Sequence, residues 1–192
     1  LITRRYAAIC ILKPFNTCPQ ICVYCQRNWE IKDAMMPDAM AGWDTIDSAI
    51  EWIAEHPSIH EVLITGGDPL AMDDNNLRKI LDKVAAIDSI ERIRIGSRVL
   101  VTVPMRVTDA LSKLLASYRI PGKRSVAVVT HVQHPYEITP QMAAAAENLR
   151  AHGVPIFNQL VYTFYASRRF EAYRLRRLLC RIGIEPYYNF YT

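Results

Sequence analysis

Little in this sequence departs from an ordinary globular chain, and each absence narrows what it can be. No membrane-length apolar run is present: the longest stretch without a formal charge, Ala151 to Ser167, is broken by Asn158, Gln159 and Thr163. No basic-then-apolar leader stands at the start, and there are no internal repeats, low-complexity tracts or interdomain linkers, so residues 1–192 read as one domain. Without a leader, the five cysteines read as reduced thiols of a cytoplasmic protein, available to a metal. Strong charge is lacking too. The net charge is +4, and much of it sits in "SRRFEAYRLRRLLCR", where Arg174, Arg177 and Arg181 share one helical face. A solvated face accounts for that cluster more simply than a nucleic-acid surface does. With 51% hydrophobic and 22% charged residues, disorder is excluded and the chain can form one well-buried core. The chain also lacks an initial methionine and stops on the apolar "EPYYNFYT", so the expectation is a piece of a longer protein, truncated at both ends.

What is present is an alternation. The β-rich runs "YAAICIL", "EVLIT", "RIRIG", "SVAVVTHV", "PIFNQLVYT" and "IEPYYNFY" are separated by amphipathic stretches, and each strand-plus-helix unit after the first spans about 30 residues, the length of a βαβ crossover. Thr139 followed by Pro140 opens one helix and Gly153 closes it, while Ser167 opens the next and Gly183 closes it. Such alternation predicts an α/β fold with parallel strands, either an open doubly wound sheet or a barrel. Residues with chemical character follow strand after strand: the cysteine loop, "GGDP", "GSR", "HVQH" and "NQ". Chemistry at the carboxyl ends of many successive strands favours a partial (β/α)6 barrel of the TIM type, because an open sheet concentrates it at one switch point.

The segment "TCPQICVYCQRNW" sets Cys18, Cys22 and Cys25 at three-then-two spacing. Three thiols are one more than a disulfide needs and one fewer than a closed zinc site or a ferredoxin cluster needs. Cys10 and Cys180 do not supply the missing ligand, since one falls in a strand and the other on the last helix, where both are expected to pack as small apolar side chains. One reading is a four-iron, four-sulfur cluster with its fourth iron open. The other is a zinc site completed by His131 or His134.

The triplet with an aromatic residue before its third cysteine, together with the glycine segment "TGGDP", resembles the radical S-adenosylmethionine superfamily. The order "RRY", cysteine loop, "TGGDPL", "RIGSR", "HPYEIT" and "FNQLV" resembles the lysine 2,3-aminomutase family within it, along nearly the whole chain. That resemblance implies a [4Fe-4S] cluster, S-adenosylmethionine and pyridoxal 5′-phosphate. It also implies an isomerase that moves an α-amino group to the β-carbon through a 5′-deoxyadenosyl radical, on a small amino acid substrate. An electron donor such as flavodoxin or ferredoxin goes with that chemistry; no membrane partner is expected, and a homo-oligomer stays open.

Residue by residue, the resemblance gives Cys18, Cys22 and Cys25 to the iron, Tyr24 to the adenine, and Gly66, Gly67, Asp68 and Pro69 to the methionyl part of S-adenosylmethionine. Ser97, Arg98, His134 and Gln159 would contact that cofactor or order the pocket, although His134, in a turn before Pro135, suits a structural hydrogen bond equally well. Arg5 and Tyr6 match positions that hold the pyridoxal phosphate, while a second phosphate-contacting arginine of the family is replaced by Ile9. Arg27 matches the partner of the substrate α-carboxylate. Arg168 stands where the lysine enzymes carry an aspartate for the substrate ammonium, and a cation there favours a glutamate-like substrate. The family's Schiff-base lysine has no counterpart among Lys13, Lys32, Lys79, Lys83, Lys113 and Lys123. The competing readings are a radical enzyme without pyridoxal phosphate acting on RNA or protein, and a non-catalytic iron-sulfur or zinc protein.

Overall fold

The computed structural model describes residues 1–164 and 167–191, and of Arg5 it describes the backbone alone. Seven strands form one sheet in simple sequential order: β1 (Ile2–Tyr6), β2 (Ile9–Phe15), β3 (Glu61–Gly66), β4 (Arg92–Gly96), β5 (Ser125–Thr130), β6 (Ile156–Tyr162) and β7 (Ile184–Tyr191). The six strands β2 to β7 are parallel, as the alternation predicts. The seventh was not foreseen. "YAAICIL" is not one strand; the chain reverses at Ala7 and Ala8, and β1 pairs antiparallel with β2, placing Ile2 beside Leu12. The sheet does not close, and β1 and β7 are its edges.

Helices α1 (Trp43–Ala54), α2 (Asp74–Ala85), the single turn α3 (Val99–Thr102), α4 (Asp109–Ser117), α5 (Pro140–Ala151) and α6 (Glu171–Arg181) fill the crossovers. Their formation follows from pattern and capping. In α2, Leu77, Ile80, Leu81 and Val84 recur at helical spacing and are buried, and the Asp73 carboxylate accepts from the backbone N–H of Asn75 and Asn76 at 3.0 Å each. Thr139 caps α5 as expected, accepting from Met142 N at 3.1 Å, with Pro140 in the first turn. Ser167 does not cap α6: its hydroxyl accepts from Thr163 N at 3.1 Å, and the helix starts three residues after Arg168, behind the left-handed Phe170.

Strand residues alternate between two faces. Cys10 and Leu12, Val62 and Ile64, Ile93 and Ile95, and Val126 and Val128 are buried against the helices in one continuous core. Cys10 packs there as expected, whereas Cys180 is exposed on α6, a correction that follows from its place on the helix's outer side. The opposite, concave face carries Lys13, Thr65, Gly96, Gln159 and Val161, and its upper end is the site. Among the described residues no helix is long and apolar enough to cross a membrane.

Candidate active site

A cavity of about 310 Å³ opens at the carboxyl ends of the parallel strands. Cys18, Cys22, Tyr24, Cys25 and Arg27 line it from the loop after β2; Gly66, Gly67 and Asp68 from the end of β3; Gly96, Ser97 and Arg98 from β4; and His131 and Gln159 from β5 and β6. The sequence-predicted residues thus converge, with exceptions given below.

The cysteine loop is long, and Thr17 pins it. Its buried hydroxyl donates to Asp33 O at 3.1 Å and accepts from Met36 N at 2.9 Å, while Cys18 O accepts from Met35 N at 2.9 Å. Within the triplet, Cys25 N donates to Cys22 O at 3.0 Å, and Arg27 N approaches Cys25 Sγ at 3.3 Å, a contact that favours a thiolate. Burial pushes the Cys18 thiol up to about 12, helped by the Asp68 carboxylate and the thiols of Cys22 and Cys25. The loop by itself resists gathering negative charge, and a cationic cluster is what would make three thiolates stable together.

Two glycines set the floor. Gly66 has φ +116°, closed to most side chains, and a Cβ there would stand 2.8 Å from Arg27 Nη1. A Cβ on Gly67 would come within 2.1 Å of the Thr17 carbonyl oxygen, so any side chain would push the cysteine loop off β3. Asp68 then locks strand to strand: its buried carboxylate accepts from Leu70 N at 3.1 Å and Arg98 N at 2.7 Å. Burial raises its carboxyl to about 6 against the pull of Ser97, Arg98 and Leu70. Pro69 opens the one-turn 3₁₀ helix Pro69–Ala71 and is buried away from the cleft.

Arg98 orders the far wall. Its Nε donates to His131 O at 3.0 Å, Nη1 to Gln20 Oε1 at 2.7 Å and Nη2 to Glu137 Oε1 at 2.9 Å. Ser97 is buried, donating its N–H to Val129 O at 2.9 Å and accepting from Val99 N at 3.1 Å. Arg27 pairs with Glu30 and donates to Asn16 Oδ1 at 2.7 Å, while its Nη1 is buried with no hydrogen-bond partner among the described residues. The Tyr24 ring lies 6.3 Å from that of His131, and burial pushes its hydroxyl pKa up.

Several residues stand elsewhere. His134 Nδ1 accepts from Tyr136 N at 3.2 Å and Nε2 meets Glu171 Oε1 at 3.2 Å, a turn-forming role outside the cleft lining. His131 occupies the cleft instead. Arg168 is exposed and gives its backbone N–H to Glu171 Oε2 at 2.9 Å. Tyr6 pairs with Ile9 at the start of β2, the end of the sheet opposite the cysteine loop, and the Arg5 side chain lies outside the described residues. Thr65, Gly96, Val161, Phe190 and Tyr191 line the cleft without having been singled out for it, and His131, foreseen only as a fourth ligand of a zinc site, lines it too; Val161 was accessible from Gln159 by the two-residue repeat of a strand.

A parallel α/β sheet bearing three unpaired thiols at the mouth defines a class, the proteins that hold a cluster in a cysteine loop over strand ends. The family model of the radical SAM superfamily matches residues 12–165, and the chain belongs to that superfamily. Its relatives within that superfamily include a KamA family protein and lysine and glutamate 2,3-aminomutases. It is 47% identical over 191 residues to an uncharacterized KamA family protein of Methanocaldococcus jannaschii, covering 100% of this chain and 30% of that protein. A glutamate 2,3-aminomutase of Clostridioides difficile is 36% identical, covering 98% of this chain and 43% of the relative. An L-lysine 2,3-aminomutase of Fusobacterium nucleatum is also 36% identical, with 97% and 42% covered. The chain therefore spans less than half the length of these curated relatives. Among solved structures, the radical S-adenosylmethionine methyltransferase TsrM from Kitasatospora setae matches with a TM-score of 0.57 at 10% identity, over 92% of this chain and 36% of that one, a likeness of fold alone.

The residues present fit the cluster and S-adenosylmethionine that the superfamily implies. Three free thiols share one cavity, a backbone N–H faces one sulfur, and the floor is bare of side chains. Among the described residues no three His, Cys, Asp or Glu converge on a point one metal ion could occupy. A cube places each thiolate on a different iron and asks for no such convergence.

Proposed function

We propose that this chain is the radical core domain of an amino acid 2,3-aminomutase that uses pyridoxal 5′-phosphate and acts on a glutamate-like substrate. The observation that carries the reading is the joint lining of one cavity by Cys18, Cys22, Cys25, the bare Gly66–Gly67 floor and the unpartnered Nη1 of Arg27. When bound, the cluster and S-adenosylmethionine supply a 5′-deoxyadenosyl radical, and pyridoxal phosphate supplies the means for nitrogen to move from α to β. The chain's own part is positioning. Cys18, Cys22 and Cys25 would hold the cluster; Gly66 and Gly67 would let the methionyl group of S-adenosylmethionine lie against backbone; Tyr24 would give its adenine a flat apolar wall. Arg98 has each guanidinium nitrogen engaged, so it holds the His131 loop and the Gln20 turn in register around the ligand.

The acidic substrate follows from the charges. The one acid that lines the cavity among the described residues is Asp68, whose carboxylate faces backbone N–H groups and has no place for a substrate ammonium. Arg27 and Arg98 line it as cations, whereas Arg168, exposed on the segment between β6 and α6, does not line it and enters the reading by sequence position alone. Arg5 and Tyr6 enter for the pyridoxal phosphate by sequence position alone, since Tyr6 lies at the end of the sheet away from the cysteine loop and the Arg5 side chain is outside the described residues.

The full-length protein, reconstituted with iron and sulfide and reduced anaerobically, is expected to form 5′-deoxyadenosine and convert glutamate to its β-isomer in preference to lysine. Its absorbance from bound pyridoxal phosphate is expected to change on borohydride treatment. Replacing Arg168 by Asp is expected to lower glutamate turnover, and unchanged turnover removes Arg168 from the reading. Deoxyadenosine without amino acid conversion points to the enzyme lacking pyridoxal phosphate, and no deoxyadenosine at all to a binding or electron-transfer protein.

A further inference from the structure

Lys13 is an anomaly of the concave face. Along β2, Cys10 and Leu12 are fully buried toward the helices, so Ile11 and Lys13 point the other way, into the hollow of the sheet. The hollow above this level is the cleft. A Cβ placed on Gly66 would stand 3.1 Å from Lys13 Cβ and 2.8 Å from Arg27 Nη1, so the root of the Lys13 side chain and the Arg27 guanidinium flank the same bare glycine. Among the described residues Lys13 has no ion-pair partner and no side-chain hydrogen bond, and Arg27 Nη1 has none either.

The acid beside them is Glu30, which is already bound to Arg27 by two nitrogens. The Glu30 carboxyl is held below its usual range first by the hydrogen bond from Arg27 and then by its charge, with the Lys13 ammonium and the Leu1 amino group adding to the pull. Lys13 is thus within electrostatic reach of the Arg27–Glu30 pair. One carboxylate thus serves two side-chain cations, Arg27 in the cleft lining and Lys13, whose stem starts beside Gly66 of that lining.

We propose that Lys13 is a specificity-determining residue, receiving the second carboxylate of a dicarboxylic amino acid whose α-carboxylate is met by Arg27. The inference rests on the amino acid substrate proposed above and names, besides Arg168, a second residue on this chain that reads its side chain. The geometry suits that role, because Arg27 is fixed by Glu30 and Asn16, whereas the four-carbon stem of a lysine lets its ammonium adjust to a chain of glutamate or aspartate length.

The test is equilibrium binding of glutamate and of its neutral isostere glutamine to the full-length protein carrying its cluster, compared among wild type, Lys13→Met, Lys13→Gln and Lys13→Arg. Wild type is expected to bind glutamate about tenfold tighter than glutamine, the preference expected of one charge-assisted pair. Both neutral variants are expected to lose the preference, and Lys13→Arg to keep it, with cluster absorbance unchanged in all. A preference that survives in Lys13→Met and Lys13→Gln, or is missing from wild type, overturns the proposal. Product analysis separates this from the aminomutase reading. A Lys13-dependent glutamate preference without β-amino acid formation sinks that reading and leaves Lys13 its role, and binding of no amino acid at all sinks both.

Discussion

His131 stands in the cleft with its Nδ1 buried and without a partner, where a proton would bring uncompensated charge. Burial foremost, and then the neighbouring Arg98 guanidinium, lower its pKa to about 4. An unfolded histidine titrates near ~6.5. The folded state therefore favours the neutral ring, and His131 contributes stability that is present above pH ~6.5 and lost as pH falls toward 4, on the order of 3 kcal/mol in all. Urea unfolding at several pH values is expected to show wild type losing more stability than His131→Gln over that window. Parallel profiles for the two proteins would contradict the assignment. At neutral pH the ring is then an uncharged wall of the cleft beside Tyr24, leaving Arg27 and Arg98 as the cations that line it. The sequence offered "HVQH" with two histidines and no means of choosing between them. The choice is made by where the strand ends: pairing of β5 stops at Thr130, so His131 turns into the cleft while His134 closes the following turn.

The strand end is itself built by side chains. Beyond the Thr130–Asn158 pair, the Asn158 amide takes over as a surrogate backbone, accepting from Val132 N at 2.7 Å and donating to Val132 O at 3.0 Å. Gln133 does the same in the other direction, with Nε2 donating to Gln159 O at 3.0 Å and Oε1 accepting from Val161 N at 2.6 Å. Two amides thus splice β5 to β6 where the strands diverge, and they hold His131 and Gln159 at the mouth. Asn158→Ala leaves the buried N–H and C=O of Val132 unpaired, and a loss of about 2–4 kcal/mol is expected from two such groups. Chemical denaturation measures it, and a loss under about 1 kcal/mol would mean that water or another group replaces the amide. At this scale the sequence was legible where local rules decide, as with the Thr139–Pro140 start of α5. It was not legible where tertiary contacts decide. Nothing local marks Ala7 and Ala8 as a reversal, and Ser167 looks like a cap until Phe170 is seen to turn the chain after it.

Across the whole molecule, the alternation of strands and helices was enough to give six parallel strands, and the chemistry at their ends was enough to favour barrel-like curvature over a flat sheet. What the sequence could not convey is how that curvature is held, because the contacts join residues far apart in the chain. Arg94 on β4 donates through Nη1 to Tyr187 Oη on β7 at 3.3 Å, with its guanidinium 5.7 Å from the ring centre, although β5 and β6 lie between them. In a flat sheet three strand spacings of about 4.8 Å would separate those strands by roughly 14 Å. The contact exists because the sheet curls, and Glu61 anchors it from β3 by pairing with both Arg94 and Arg92. Arg94 and Glu61 are 9% and 8% exposed, so neither charge is left to water. Removing one partner alone should be costly: Glu61→Gln is expected to destabilise the chain by about 3 kcal/mol, since a buried guanidinium loses its counter-charge. Replacing both, as Glu61→Leu with Arg94→Met, is expected to recover most of that loss. The recovery would be incomplete by the share owed to Tyr187, and a Tyr187→Phe change in each background isolates that share as a coupling energy. Additive effects of Glu61→Gln and Arg94→Met, with no recovery in the double replacement, would show that this layer does not hold the curve.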